Sequence, residues 1–172
     1  MANISVVIPI YNEEKSIHML IKKLMKLKAE PRIDNLEVFF INDGSKDKSL
    51  EIIRENIQAY KDFKIINLSR NYGQTAAIAA GIDNANNDII IIMDGDLQND
   101  PDDIPKLLLK LDEGFDVVSG WRKNRKDDFL TKVLPSKIAN RLISWISGVY
   151  LHDYGCTLKA YRKQVLKGLN LY

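Results

Sequence analysis

Apolar positions along the chain follow two alternating rhythms. Residues 4–10, 36–42, 63–68, 88–93 and 115–120 are short, nearly continuous runs rich in Ile, Val and Phe. Such runs read as strands buried on both faces, the kind found in parallel sheets. Between them, apolar residues recur at three and four. Ile17, Leu20, Ile21, Leu24 and Leu27 form one such set, Leu50, Ile53 and Ile57 a second, and Ile104, Leu107, Leu108 and Leu111 a third. That spacing predicts amphipathic helices. Residues 75–85 are alanine-rich and helical in pattern, with side chains small enough to pack closely on a sheet. The alternation predicts an α/β fold: a mostly parallel central sheet with helices on both faces. Pro9 ends the first strand, because proline cannot donate to a ladder. Asn12 is the predicted N-cap of the first helix, with Glu13 and Glu14 at its positive end. Pro101 and Pro105 start the fourth helix and Gly114 stops it.

The rhythm changes after Trp121. Residues 121–137 carry six basic residues against two aspartates, and residues 123–128 contain no apolar side chain. Residues 129–150 predict an amphipathic helix whose apolar face includes Leu134, Leu142, Trp145 and Ile146, with Pro135 starting or kinking it. The remainder predicts a strand through Tyr161 and a short helix. The ending is abrupt for a domain and reads as that of a fragment whose continuation is missing.

Composition narrows the functional classes. At 172 residues the default is one domain. A net charge of +2 excludes bulk polyanion binding, so any basic patch is local. The single cysteine, Cys156, excludes an internal disulfide framework and a cysteine-based zinc site. His18 and His152 are too far apart in sequence to suggest a histidine-rich metal site. No signal peptide is expected, and no apolar run reaches the ~20 residues of a membrane span. The expected location is cytoplasmic, with membrane contact only from the surface.

The chemistry concentrates where the fourth strand stops. After Ile89–Ile92 and Met93 come Asp94, Gly95 and Asp96. Strand alternation points the two acids the same way. Ligands of open α/β sheets bind beyond the carboxyl ends of strands. Five aspartates and no Lys or Arg fall between residues 94 and 103. Hard divalent cations prefer such oxygen ligands, which points to a metal at Asp96 that holds a phosphate-bearing substrate. The structural alternative is a solvated acidic loop that caps the next helix. Glu13 and Asp43 also follow strands and would reach the same edge. As structural residues, Glu13 would be a helix-start acid and Asp43 a turn residue. Neither G-x-x-x-x-G-K-[ST] nor G-x-G-x-x-G occurs, which argues against a P-loop nucleotidase and a dinucleotide-binding dehydrogenase.

Four blocks then carry a resemblance: residues 7–14 (VIPIYNEE), 42–45 (NDGS), 71–74 (NYGQ) and 93–101 (MDGDLQNDP). Together they resemble the family-2 glycosyltransferases, most of all the polyprenyl-phosphate hexosyltransferases, the group of dolichyl-phosphate mannose synthase and the bacterial undecaprenyl-phosphate glycosyltransferases. The resemblance implies a GT-A fold over residues 1–172 as one catalytic domain. Residues 1–120 would be the donor-binding half, and residues 121–172 would face acceptor and membrane. It implies a nucleotide-diphosphate-sugar donor, UDP- or GDP-linked, a polyprenyl phosphate acceptor, and Mg2+ or Mn2+. Pro9, Tyr11, Glu13, Ile41 and Asp43 would surround the nucleoside. Asp94, Gly95 and Asp96 would meet the ribose and diphosphate, with Asp96 and Gln98 reaching the metal. Asp94, Asp96 and Arg122 are the implied catalytic residues. Arg122, Lys132 and Ser136 would hold the acceptor phosphate, with lysine at 132 where arginine is more usual. Gln74 stands where many members carry lysine.

Other readings compete. A phosphotransferase would use an aspartyl nucleophile after a strand, but Leu97-Gln98 continues that motif poorly. An RNA-binding module would use the 121–137 patch, yet the patch lacks interleaved aromatics, so no nucleic-acid partner is expected. A transferase acting on a saccharide or protein, or a donor-binding fragment without turnover, are the remaining alternatives. The amphipathic segment 129–150 suits an interfacial helix at an anionic membrane, with packing on the sheet as its structural alternative.

Overall fold

The computed structural model describes residues 1–121, 153 and 155–168. Among these, one sheet contains β1 (Ala2–Ile10), β2 (Ile33–Asn42), β3 (Phe63–Asn67), β4 (Ile89–Ile92), β5 (Val117–Ser119) and β6 (Lys159–Arg162). Its helices are α1 (Ile17–Lys26), α2 (Ser49–Ile57), α3 (Gln74–Asn84), α4 (Ile104–Asp112) and the short α5 (Lys163–Leu166). The predicted helix at 129–150 lies outside the described residues.

The strand order is β3-β2-β1-β4-β6-β5. β1, β2, β3 and β4 pair in parallel. The chain runs outward from β1 to β3 and then returns to the other side of β1. The order therefore reverses between β1 and β4, the topological switch point where open sheets hold ligands. The alternation of β1 sorts the core. Ile4, Val6, Ile8 and Ile10 join the apolar faces of α1, α2 and α4 in one cluster. Val7 meets Phe39, Ile41, Ile90 and Ile92 under α3 on the opposite face. The small residues of α3 have the packing role expected of them. A Cβ on Gly81 would collide with Val7 and stand 2.9 Å from Ile41 Cδ1, so the helix lies directly on the sheet.

Two expectations change. β5 does not pair with the parallel strands. β6 inserts between β4 and β5, antiparallel to both. Strand pairing thus carries the chain beyond residue 120 back into the sheet, beside the central strand. Asn12 does not cap α1, which begins at Ile17 with Ser16 as its N-cap. Asn12 instead adopts φ 57°. Its Oδ1 accepts from the Lys46 N–H at 2.8 Å and its own N–H donates to Ser45 Oγ at 3.1 Å. The loops after β1 and β2 are tied together by these bonds.

Candidate active site

Pairing between β1 and β4 continues to Met93, whose N–H donates to the Val7 carbonyl at 3.2 Å. Asp94 is the first residue past that pairing. A cavity of about 350 Å³ opens there, at the carboxyl ends of β1, β2 and β4. Pro9, Tyr11, Glu13, Asp43, Asp94, Gly95 and Asp96 all line it. Ile41 does not. It is fully buried one layer below, where it packs in the α3 cluster. Gly95 is needed for close approach: a Cβ there would stand 2.5 Å from Ile10 Cδ1.

Asp43 is buried, and both carboxylate oxygens are engaged. Oδ1 accepts from the Tyr72 N–H at 2.7 Å and Oδ2 from the Gly73 N–H at 2.9 Å. Gly44 follows with φ 68°, and a Cβ on it would stand 2.6 Å from the backbone of Arg70 and Asn71. Asp43-Gly44 therefore works as a clamp that moulds the loop carrying Asn71, Gly73 and Gln74 into the cavity wall. Asn71 and Gly73 were not singled out as site residues from sequence. Their part in the Asn-Tyr-Gly-Gln block was the available signal.

The acidic run divides under inspection. Lys23 of α1 pairs with Asp100, and Lys106 pairs with Asp103 at 2.5 Å. The expectation that this whole run needs an external cation is thus too broad, because lysines distant in sequence or just beyond the run neutralise its far end. Asp94 and Asp96 face the cavity. Asp94 accepts from Gln74 Nε2 at 2.7 Å and from the Thr157 hydroxyl. Asp96 Oδ1 accepts the Gln98 N–H at 2.9 Å, and Leu97 between them takes φ 62°. Gln98 is not among the residues that line this cavity. It lines a second one of about 600 Å³ between α4 and β5, shared with Trp121, Lys106 and Leu107. Gln98 therefore meets Asp96 through its backbone.

Glu13 completes the ring of acids. Burial pushes its carboxyl above the ordinary range, a bond from the Ser16 hydroxyl partly offsets this, and the charges of Asp96, Asp47 and Asp94 push it further up. Among the described residues, four carboxylates line the cavity and no Lys or Arg does. That donor set suits a hard divalent cation. No group of three His, Cys, Asp or Glu side chains converges to hold a metal among the described residues. The protein would thus supply part of a coordination shell, with substrate oxygens and water supplying the rest, as Mg2+ and its mimics permit. Arg122, Lys132 and Ser136 lie outside the described residues. No described helix is long and apolar enough to cross a membrane.

A switch-point cavity walled by acids on a mostly parallel sheet is the GT-A arrangement. A glucosyl-3-phosphoglycerate synthase of Mycobacterium tuberculosis, solved with Mn2+, UDP and phosphoglyceric acid, superposes with TM-score 0.73 at 19% identity, covering 98% of this chain and 58% of that one. A mannosyltransferase of Pyrobaculum calidifontis, solved with GDP-Man and Mn2+, gives TM-score 0.69 at 21% identity over 99% of this chain and 48% of that one.

The chain belongs to glycosyl transferase family 2, whose model matches residues 5–169. It is 44% identical over 171 residues to a dodecaprenyl-phosphate galacturonate synthase of Rhizobium johnstonii, covering 98% of this chain and 50% of that protein. It is 42% identical over 168 residues to an undecaprenyl-phosphate 4-deoxy-4-formamido-L-arabinose transferase of Aeromonas hydrophila, covering 96% of this chain and 51% of that protein. The chain spans about half the length of these curated relatives.

Proposed function

We propose that the chain is the catalytic domain of an inverting glycosyltransferase. It would move a sugar, a hexose in the simplest case, from a UDP- or GDP-linked donor to a polyprenyl phosphate, assisted by Mg2+ or Mn2+. One observation carries the reading: seven of the eight residues assigned to the donor line one acidic switch-point cavity. The names of the curated relatives support the acceptor class.

Each group then has a physical task. Pro9, Tyr11 and the loop clamped by Asp43 form the nucleoside wall. Ile41 supports it from below. Glu13 and Asp94 accept hydrogen bonds from donor hydroxyls, and Gly95 lets the donor come close to the backbone. Asp96, with its carboxylate oriented by the Gln98 N–H, holds the cation. That cation, when bound, neutralises the departing nucleoside diphosphate as a Lewis acid. The acceptor phosphate is already an anion, so its oxygen attacks the anomeric carbon without a dedicated base. The bond to the diphosphate breaks on the opposite side, which inverts the centre. Arg122, Lys132 and Ser136 grip the acceptor phosphate, and alignment supplies much of the acceleration. The division of labour puts the donor on residues 1–120 and the acceptor on the part that follows. Residues 129–150 would rest on the cytoplasmic membrane surface.

A thermal-shift panel of UDP- and GDP-sugars with and without Mn2+ tests this reading. Stabilisation by one nucleotide class that requires the metal is expected. Equal melting temperatures across the panel would overturn it.

A further inference from the structure

The mechanism above uses the Asp94 carboxylate but not the groups that hold it. Those groups form an ordered chain of hydrogen bonds. The Cys156 thiol donates to Asn99 Oδ1 at 3.4 Å. Asn99 Nδ2 donates to Thr157 Oγ1 at 2.9 Å. Thr157 Oγ1 donates in turn to Asp94 Oδ2. From the other side, Gln74 Nε2 donates to Asp94 Oδ1 at 2.7 Å.

The direction of this chain follows from the chemistry of its members. A hydroxyl has a single proton. Thr157 accepts from the Asn99 amide, so its proton is directed at Asp94. Asn99 Oδ1 faces the Cys156 thiol, a weak donor that also lies 4.0 Å from the Leu158 carbonyl, and its Nδ2 faces Thr157. Asn99 is 5% exposed and Cys156 1% exposed, so the interior, not solvent, fixes the orientation. Two features of the fold create the juxtaposition. Leu97, with φ 62°, turns the chain so that Asn99 points inward. The antiparallel insertion of β6 beside β4 brings Thr157, two residues before that strand, against the end of β4.

We propose that Thr157 and Asn99 are positioning residues for donor binding. They hold the Asp94 carboxylate in place at the wall of the cavity. Gln74 completes the clamp from α3, which gives this glutamine a task at a position where many family members carry lysine. The inference rests on the donor-site reading of the cavity and deepens it. Asp94 is kept as an acceptor for donor hydroxyls, while Asp96 takes the cation. Preorganised acceptors of this kind cost nothing to orient when the ligand arrives.

The test is calorimetric titration of Mn2+ with UDP, and of Mn2+ with GDP, into the whole chain and three variants. Thr157→Val keeps the shape of the side chain and removes its hydroxyl. It should weaken binding of whichever nucleotide the unmodified chain takes by about ten- to a hundredfold, the scale of one hydrogen bond to a charged acceptor. Thr157→Ser keeps the hydroxyl and should restore affinity to within a few-fold. Asn99→Leu should fall between them, because it frees the hydroxyl to turn away. In a turnover assay, Thr157→Val should raise KM for the donor more than it lowers kcat. Wild-type affinity in Thr157→Val, or a Thr157→Ser variant as weak as the valine, would overturn the proposal. A chain that binds neither nucleotide even before mutation would overturn the donor-site reading itself, and that failure appears in the unmodified protein rather than in the variants.

Discussion

Two groups of carboxylates sit on this sheet, and they are treated in opposite ways. In its amino-terminal half, Glu37 on β2 is nearly buried among partners. It accepts from the Ser5 hydroxyl at 2.9 Å, from Lys64 Nζ at 2.8 Å and from both the backbone and side-chain nitrogens of Asn86 at 3.1 Å. Burial alone would raise its pKa, but the bonds from Lys64, Asn86 and Ser5 win and bring it down to about 2. At the carboxyl edge, Glu13, Asp43, Asp94 and Asp96 share one cavity that no Lys or Arg lines among the described residues, and Glu13 is pushed upward. Identical chemistry is thus neutralised at one end and left crowded around a cavity at the other. The difference is compensation. The carboxyl-edge acids are hydrogen-bonded too, but Glu37 has a cation of its own in Lys64, whereas acids crowded together without a counter-charge favour whatever cation arrives.

Substitutions can break that contrast, starting with the largest effect. Asp96→Asn should weaken Mn2+-dependent nucleotide binding by more than about a hundredfold, because a metal ligand is worth at least what its supporting residues are. Its melting temperature should hold or rise, since one member of a repelling group is gone. Isothermal titration together with calorimetric melting checks both halves.

Glu37→Gln should do the reverse. At pH 7 it should cost on the order of 2–3 kcal/mol of stability and leave nucleotide affinity alone. The sign follows from the depressed pKa. Glu37 stabilises the fold above its unfolded value of 4.5, and that contribution is lost as pH falls toward about 2. Denaturant titrations of the two proteins should therefore converge near pH 2 and diverge above pH 5.

Asp43→Ala sits between the two groups, because its carboxylate is both satisfied and at the cavity. Release of the Tyr72 and Gly73 N–H groups should loosen the wall and weaken nucleotide binding by about tenfold or more. An unchanged affinity would make Asp43 a turn residue and move it to the structural group. The smallest effect concerns the basic counterpart of these acids. The chain should bind anionic liposomes weakly, less as salt rises, and less still with Lys132→Glu and Arg141→Glu. Flotation at low salt measures this, and an absence of binding with nucleotide affinity intact would remove the membrane role from residues 129–150.

Much of this arrangement was legible in the chain because its signals are local. An apolar run that stops at Asp94 and Asp96 announces both a buried strand and the edge at which the acidic cavity opens. The same holds for Glu13 after β1 and Asp43 after β2. What escaped depends on pairing at long range. Lys23 neutralises Asp100 from 77 residues away, so a run that looks uniformly acidic is acidic at one end only. β6 is four residues long, and so short a run announces neither its neighbour nor its direction. Its place beside β4, and with it the contact of Thr157 with Asp94, follows from tertiary packing alone. Asn12 has the residue type of a helix cap, but a stronger use for its amide lay across the gap to Ser45 and Lys46. Gln98 follows a metal-type motif, yet beyond the left-handed turn at Leu97 it lines the neighbouring cavity instead.

The central claim is that the acidic cavity between β1, β2 and β4 binds a nucleotide diphosphate around a divalent cation. Crystals of the chain grown with Mn2+ and UDP or GDP, measured at a wavelength where manganese scatters anomalously, test it most directly. The account expects one strong anomalous peak beside the Asp96 carboxylate, with diphosphate oxygens on the metal and the base against the Tyr11 and Asp43 wall. A peak elsewhere, or a nucleotide seated in the second cavity between α4 and β5, would contradict it.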